Sequence, residues 1–282
     1  MIKKIIFSIL LFIFLFNTCA YALDYSFSAR IVSTGTKKYK AVKLIPQIYN
    51  NTAENLADLE IFDENNEPVP YFINSFSENL GKKEYFTETF KPDFDVEEEG
   101  NSTVIKVHGL KNLKLVSISL VTPSVFKRNV TFDGRASKML YNLRFNNEEQ
   151  KDLTLTVEPY KVTSDIGEIV IDNKDDKPIE VTAIEATYLV DELVFEGSGS
   201  KEYTLKFGNS EIKKPKSYDL SNYKEYILNE GYDVLSIEDI KGSPAKDLSS
   251  VKEPYDYKTL FNIGVSIVAV VLSVIIFLKI KK

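Results

Sequence analysis

Val116-Ser117-Ile118-Ser119-Leu120 alternates an apolar side chain with a serine over five residues. Successive side chains of an extended strand point to opposite faces, so this pattern predicts Val116, Ile118 and Leu120 toward a core and Ser117 and Ser119 toward water. Leu153, Leu155 and Val157 repeat it against Thr154 and Thr156, and Tyr203, Leu205 and Phe207 against Thr204 and Lys206. Further strands are predicted over Tyr25–Ser33, Lys40–Pro46, Leu56–Phe62, Val69–Asn74, Tyr85–Phe90, Thr103–His108, Asn129–Asp133, Leu140–Phe145, Glu168–Asp172, Ile179–Thr187 and Tyr188–Phe195, runs rich in β-branched and aromatic residues. Between them, the Asp63–Pro68 and Asp172–Pro178 stretches are turns in which Asx side chains can bond the backbone locally. One helix is predicted near Tyr223–Asn229, with Asn222 as cap, Glu225 three residues on and Gly231 as stop. Many short strands with little helix define an all-β class, antiparallel β-sandwich or jelly-roll.

The two ends of the chain carry a different signal. Lys3 and Lys4 precede a twelve-residue apolar run, Ile5–Phe16, too short to span a bilayer. With Ala20-Tyr21-Ala22 as a small-x-small cleavage site, residues 1–22 read as a signal peptide. A rival reading makes Cys19 a lipidation site, but Phe16-Asn17-Thr18 lacks the small residues expected before it. Thr259–Leu278 is twenty residues without a charge, and at ~1.5 Å per residue such a helix crosses a ~30 Å hydrocarbon core. Lys279, Lys281 and Lys282 follow it, which the positive-inside rule places in the cytoplasm.

The expected organisation is therefore a signal peptide at 1–22, an N-terminal β unit at 23–82, and a jelly-roll-like β-sandwich at 83–212. A short helix and closing segment at 213–240, a stalk at 241–258, a single C-terminal transmembrane helix at 259–278 and a cytoplasmic tail at 279–282 complete it. The stalk assignment rests on Gly242, Ser243, Pro244 and Pro254 in a stretch without apolar period. The expected location is the cell membrane, single pass, with the ectodomain outside.

Two lysines lie in the leader and three in the tail, so residues 23–258 hold all 41 acidic side chains against 30 of the 35 basic ones, a net charge of −11. That surface disfavours nucleic acid, whose phosphates need a basic footprint. Cys19 is the only cysteine and leaves with the signal, so the exported part has no disulfide, no thiol nucleophile and no thiolate metal site. Its stability must come from burial, for which 18 Phe and 16 Tyr are ample material.

Catalytic constellations are sparse. His108 is the sole histidine, at the end of a predicted strand before Gly109, and reads as a surface residue. Ser198-x-x-Lys201 matches the Ser-x-x-Lys of penicillin-interacting enzymes, but that motif works on a helix turn, and Gly197–Ser200 reads as a hairpin loop. Ser249-x-x-Lys252 falls in the stalk. Two acidic turns, Asp172 with Asp175 and Asp176, and Asp93 with Asp95 and Glu97–Glu99, could offer oxygen to calcium, yet neither has the spacing or central Gly of an EF-hand loop. No glycine-rich phosphate loop follows a strand. The Asn-x-Thr sequons at Asn50, Asn101 and Asn129 read as composition. No catalytic, cofactor or metal residue is assigned, and no cofactor is expected.

Leu56-Ala57-Asp58-Leu59-Glu60-Ile61-Phe62-Asp63 followed by Pro68-Val69-Pro70-Tyr71 resembles the signature of a bacterial envelope family catalogued as domain of unknown function 3999. Tyr203–Asn209, with Pro215 and Tyr218-Asp219-Leu220, is similar to that family's later segment. The resemblance implies a secreted β ectodomain with one C-terminal span and brings no established activity. Ser117–Asp133 and Glu168–Ala186 also look like strands of a galactose-binding-like, discoidin-type jelly roll, with Phe126-Lys127-Arg128 and Ile169–Asn173 as the points of likeness. That likeness implies sugar binding, which in a chain without Trp falls to Tyr.

The expected function is a non-catalytic, membrane-tethered extracytoplasmic β module that binds or scaffolds an envelope protein partner. The alternative is a carbohydrate-binding or cell-wall-processing ectodomain, which calls for an exposed Tyr cluster or a carboxylate pair in a cleft. Gly264 and Ser266 are small residues through which the span could pack on another membrane protein.

Overall fold

Ser75 and Asp191 pair across two antiparallel strands although more than a hundred residues lie between them, and this pairing organises the chain. The computed structural model describes residues 24–75, 86–146, 148–197 and 199–242. The expected signal peptide, span, cytoplasmic tail and most of the stalk lie outside the described residues. Among those described, no helix is long and apolar enough to cross a membrane.

Strands β1 (Phe27–Val32), β2 (Tyr39–Lys43), β3 (Glu60–Phe62), β4 (Pro68–Val69) and β5 (Tyr71–Ser75) share a sheet with β16 (Asp191–Glu196), β17 (Glu202–Phe207) and β18 (Tyr232–Gly242), in the order β4-β3-β17-β1-β18-β2-β16-β5. The two edge strands are separated in sequence by Pro70 alone, and consecutive Cα atoms are ~3.8 Å apart, so the sheet must curl until its edges meet there. It is a barrel whose seam is closed by the chain itself. Its interior is packed with Ala29, Ile31, Val42, Ile61, Leu193, Phe195, Leu205 and Phe207, all essentially inaccessible. Each large apolar side chain so buried contributes roughly 1.5–3 kcal/mol. Helix α1 (Pro46–Asn51) follows β2, and helix α2 (Lys224–Glu230), entered through a 3-10 turn at Asp219–Tyr223, lays Ile227 on the outer face against Tyr39, Ala41, Phe72 and Val194.

Between β5 and β16 the chain makes two further sheets. One has the order β12-β11-β10-β14-β8-β7, the other β13-β9-β15-β6. Their strands are β6 (Thr87–Phe90), β7 (Phe94–Glu99), β8 (Ser102–Val107), β9 (Lys114–Val121), β10 (Phe126–Phe132), β11 (Ala136–Phe145), β12 (Glu148–Asp152), β13 (Thr154–Lys161), β14 (Gly167–Asp172) and β15 (Ala183–Leu189). Both bury one face, with Ile105, Phe132 and Ile169 from the first and Ile118, Leu155 and Ile184 from the second in one core continuous with the barrel's. The molecule is mostly antiparallel β, in line with the alternation read from the sequence. A sandwich is inserted into a barrel.

That insertion corrects the expected boundaries. β16 and β17, expected in a unit running from 83 to 212, pair with N-terminal strands, because their partners β2, β5, β1 and β3 supply the ladder. They do not pair with each other, so they are not the two arms of a hairpin. The closing segment expected over 213–240 ends in the eleven-residue strand β18, antiparallel to β1 and parallel to β2, and its ladder runs to Gly242, inside the expected stalk. Asn222 does not cap α2. The cap position is Tyr223, without a side-chain bond, while Gly231, at φ +85°, ends the helix as expected.

The opening stretch is corrected too. Ser117 pairs with Thr187 while Leu115 pairs with Tyr188, so Val116 is an extra residue, a β-bulge. The bulge resets the period, which puts Leu115, Ile118 and Leu120 in the core and leaves Val116 half-exposed.

Candidate functional site

The site grows from the segment after β2. Pro46 fits the first turn of α1, where its missing N–H costs nothing, and Ile48 and Tyr49 are buried by that turn. The helix is too short to satisfy its own last carbonyls. Thr52 donates to Tyr49 O through its N–H at 3.4 Å and its Oγ1 at 3.2 Å, and Asn112, from the sandwich loop before β9, adds its Nδ2 to Tyr49 O at 2.9 Å and to Thr52 O at 3.1 Å. Asn112 is buried and sits at φ +66°, a left-handed conformation that Asn tolerates better than most residues.

Below the helix, the Tyr49 hydroxyl donates to Asp191 Oδ2 at 3.0 Å and accepts the Asp191 N–H at 2.7 Å. Burial, and then the charge of Asp191, push the Tyr49 phenol well above its ordinary pKa. Lys114 Nζ lies 3.9 Å from Asp191 Oδ1 and donates to Ser75 Oγ at 3.3 Å. Lys161 Nζ donates to the Glu54 carbonyl, and burial, outweighing the attraction of Glu54, lowers its pKa.

The loop after α1 is pinned by Asp58, whose side chain is 2% exposed. Its Oδ1 accepts the Ala53 N–H at 2.8 Å, and its Oδ2 those of Gly208 at 2.9 Å and Asn209 at 3.1 Å. Asn55 Nδ2 donates to Lys213 O at 3.0 Å. These contacts hold two barrel loops, 52–58 and 208–213, beside two sandwich loops at 111–112 and 161–163. Between them opens a groove of about 870 Å³ lined by Asn50, Glu54, Asn55, Lys111, Lys161 and Lys213 among others. A smaller recess of about 200 Å³ shares Glu54, Asn55, Asn112 and Lys161 and reaches Tyr49, Lys114 and Asp191. Because the Asp58 carboxylate is occupied by three amides, Glu54 is the one free carboxylate facing three lysines in the described lining.

Such a wall offers ammonium groups and fixed amides. Three ammonium groups, one carboxylate and several amides in the lining can make charge-assisted hydrogen bonds. These residues lie outside the constellations weighed from the sequence. Their signal was faint: polar residues without periodicity.

The residues singled out earlier fall elsewhere. His108 follows β8, 35% exposed, with Nε2 2.8 Å from Asp95 Oδ2. The supposed acidic turn at Asp93–Glu99 is instead the edge strand β7, pairing with β8 and placing Glu97 against Lys106. In the other, Asp172 Oδ1 accepts the Lys174 N–H as the turn predicts. No group of acidic or histidine side chains among the described residues could hold a metal ion. Ser198, Ser249 and Lys252 lie outside the described residues.

The motif residues behind both resemblances meet in structural networks. Tyr71 OH donates to Leu59 O at 2.5 Å and its ring lies 5.6 Å from that of Tyr218. Buried Glu60 accepts from Tyr25 OH and pairs with Lys216. Arg128 forks to Asn173 Oδ1 at 2.5 Å and Lys177 O at 2.6 Å. No protein-family model, curated protein or solved structure matches the chain.

Proposed function

We propose that the protein is a non-catalytic, membrane-tethered extracytoplasmic module whose junction groove holds an anionic, polar segment of an envelope protein partner. In this reading residues 1–22 direct export, 259–278 anchor the chain, and the ectodomain works at the membrane surface, where tethering raises its effective concentration near a partner. The observation that carries it is the convergence of Lys111, Lys161 and Lys213 on one groove of a domain that is otherwise strongly acidic. A local positive wall in a negative field selects ligands by charge and orients them, while the amides of Asn50, Asn55 and Asn112 supply geometry. The reading also agrees with the resemblance to an envelope family.

The test is capture of partners by the tethered protein in its membrane, with and without Lys111→Glu and Lys213→Glu together. Both side chains sit at the mouth and carry no described structural bond through their ammonium groups, so folding is preserved and capture is lost. The same reversal at Lys151, on the distant edge strand β12, leaves capture intact. Equal capture by both variants, or full function of an ectodomain freed from its span, excludes this reading.

A second reading, carbohydrate binding, is favoured by one specific observation. Tyr223 and Tyr226, one helical turn apart, are 58% and 77% exposed, a pair of aromatic faces available for stacking on a sugar ring. Retention on purified cell-wall polysaccharide that Tyr226→Ala abolishes would move the assignment to this reading.

A further inference from the structure

A second groove, of about 640 Å³, lies at the barrel seam, where β4 parts from the end of β16. Its floor is Val69, Pro70, Tyr218 and Leu220, and its rim is Asp63, Glu196 and Asp219. Three carboxylates therefore surround an apolar floor, and no lysine or arginine is among the described residues that line it.

Of the neighbouring cations two are engaged elsewhere, and the third, Lys38, pairs with the rim carboxylate Glu196. Lys216 pairs with Glu60, Lys206 donates to Asn66 Oδ1, and Lys38 reaches Glu196 only in an exposed contact at 3.4 Å. Asp63 Oδ1 is used by the N–H groups of Asn65 and Glu67, both at 2.9 Å. Asp219 has no partner among the described residues.

The backbone points the same way. Asp63 N–H donates to Glu67 O at 3.0 Å, and Ile61 is opposite Val69, which fixes the phase of the β3–β4 ladder. Antiparallel pairs alternate, so Ile61 and Val69 exchange their hydrogen bonds and the flanking positions face away from β3. Those positions are Pro68 and Pro70, which have no N–H. On β4 the strand side of the groove thus has no N–H and presents the Pro68 carbonyl, while the Pro70 carbonyl faces the Glu196 N–H across the β5–β16 ladder. The apolar floor suits an apolar side chain, and the anionic rim suits a positive group that donates.

We propose that the seam groove docks an extended basic segment of a partner protein, with an apolar side chain on Tyr218 and Leu220 and an adjacent Lys or Arg on Asp219 and Glu196. This goes beyond the junction groove, whose wall has the opposite charge, and does not depend on it. The residues involved belong to the Pro-Val-Pro-Tyr and Tyr-Asp-Leu stretches, which the junction groove leaves unexplained.

The test is a titration of the full-length protein with the fluorescein-labelled peptide Pro-Leu-Arg-Pro-Leu-Arg, followed by anisotropy, beside a copy with Glu for Arg. The basic peptide binds and weakens at least severalfold between about 0.05 and 0.5 M salt, as screening requires, and the acidic peptide does not bind. Asp219→Asn with Glu196→Gln costs about tenfold in affinity; Asp219→Asn alone, a change at an exposed turn position, costs about threefold. Glu180→Gln with Glu185→Gln, on the sandwich, changes nothing. Failure of the basic peptide to bind, equal binding by the rim variants, an equal loss from the sandwich pair, or displacement by spermidine as effective as by peptide overturns the proposal.

Discussion

Asp58 Oδ2 accepts the amide of Gly208 at 2.9 Å across 150 residues of sequence, and this bond ties the loop after α1 to the end of β17. Gly208 has φ +83°, and a Cβ there would lie 2.7 Å from the Phe27 ring, so the loop approaches its anchor as only glycine allows. Asp58→Ala would strand three amides in a site that is 2% exposed and costs about 3 kcal/mol. Asp58→Asn keeps one acceptor but turns an NH₂ toward donors, and costs about 2 kcal/mol. Urea unfolding midpoints check both, and a loss below about 0.5 kcal/mol for the alanine variant would show that the anchor carries nothing.

Much of this was legible in the sequence and part was not, for physical reasons. Strands with one buried face, such as Tyr203-Leu205-Phe207, announce themselves by alternation because the core enforces it. β18 does not: of its eleven residues only Leu235 is fully buried, and Val234 is 53% exposed, so it has almost no period. β7 hides as an acidic run because edge strands are kept charged against unwanted pairing. The groove was the least readable, since Asn55, Lys111 and Lys213 come from three loops and Lys161 from the end of β13, and their meeting is decided by which strands pair. Asp58 and Gly208 each lay in a stretch quoted for a family resemblance, but nothing in either stretch says that they touch.

Asn112 is expected to be a joint between sandwich and barrel. Asn112→Gly keeps the left-handed backbone available and removes the two bonds to the Tyr49 and Thr52 carbonyls, with an expected loss of about 1–3 kcal/mol. Asn112→Asp brings a carboxylate against those same carbonyls and should cost more. If both variants unfold within about 0.5 kcal/mol of the parent, the carbonyls are satisfied in another way.

Stability should fall at alkaline pH. Burial, with the nearby Tyr71 and Asp58 next, pushes Tyr25 up to about 12, and burial first of all raises Tyr49, Tyr71, Tyr188 and Tyr232 as well. A folded pKa above the unfolded value near 10 means that the folded state holds more protons above that pH, so its stability declines as pH rises. The contribution is complete below about pH 10 and disappears through about pH 12 for Tyr25. Urea midpoints from about pH 9 to pH 11.5, with tyrosinate absorbance alongside, should show both changes together, and Tyr25→Phe should flatten the decline. A midpoint unchanged over that range would mean that these phenols are not buried in solution.

Lys161 separates stability from function. Its ammonium is partly desolvated, its pKa is lowered by that burial first, and Lys114 adds repulsion while Glu54 and Asp191 offset it. A group held in a site that disfavours its charged form contributes stability only once it is neutral, so its penalty fades as pH rises toward the unfolded value. Solvent screening reduces the effect to a few tenths of a kcal/mol at this degree of exposure. Lys161→Met keeps the alkyl stem packed, loses the bond to the Glu54 carbonyl and removes the charge, and the unfolding midpoint should stay within about 0.5 kcal/mol of the parent. Capture of an anionic partner by the junction groove should nevertheless fall about tenfold, because the lost ammonium is the least exposed of the three and its field the least screened. Lys161→Arg restores the charge in a larger head and should recover part of the capture. A variant that binds as the parent does while keeping its stability would remove Lys161 from the recognition wall and leave Lys111 and Lys213 as a solvated surface pair.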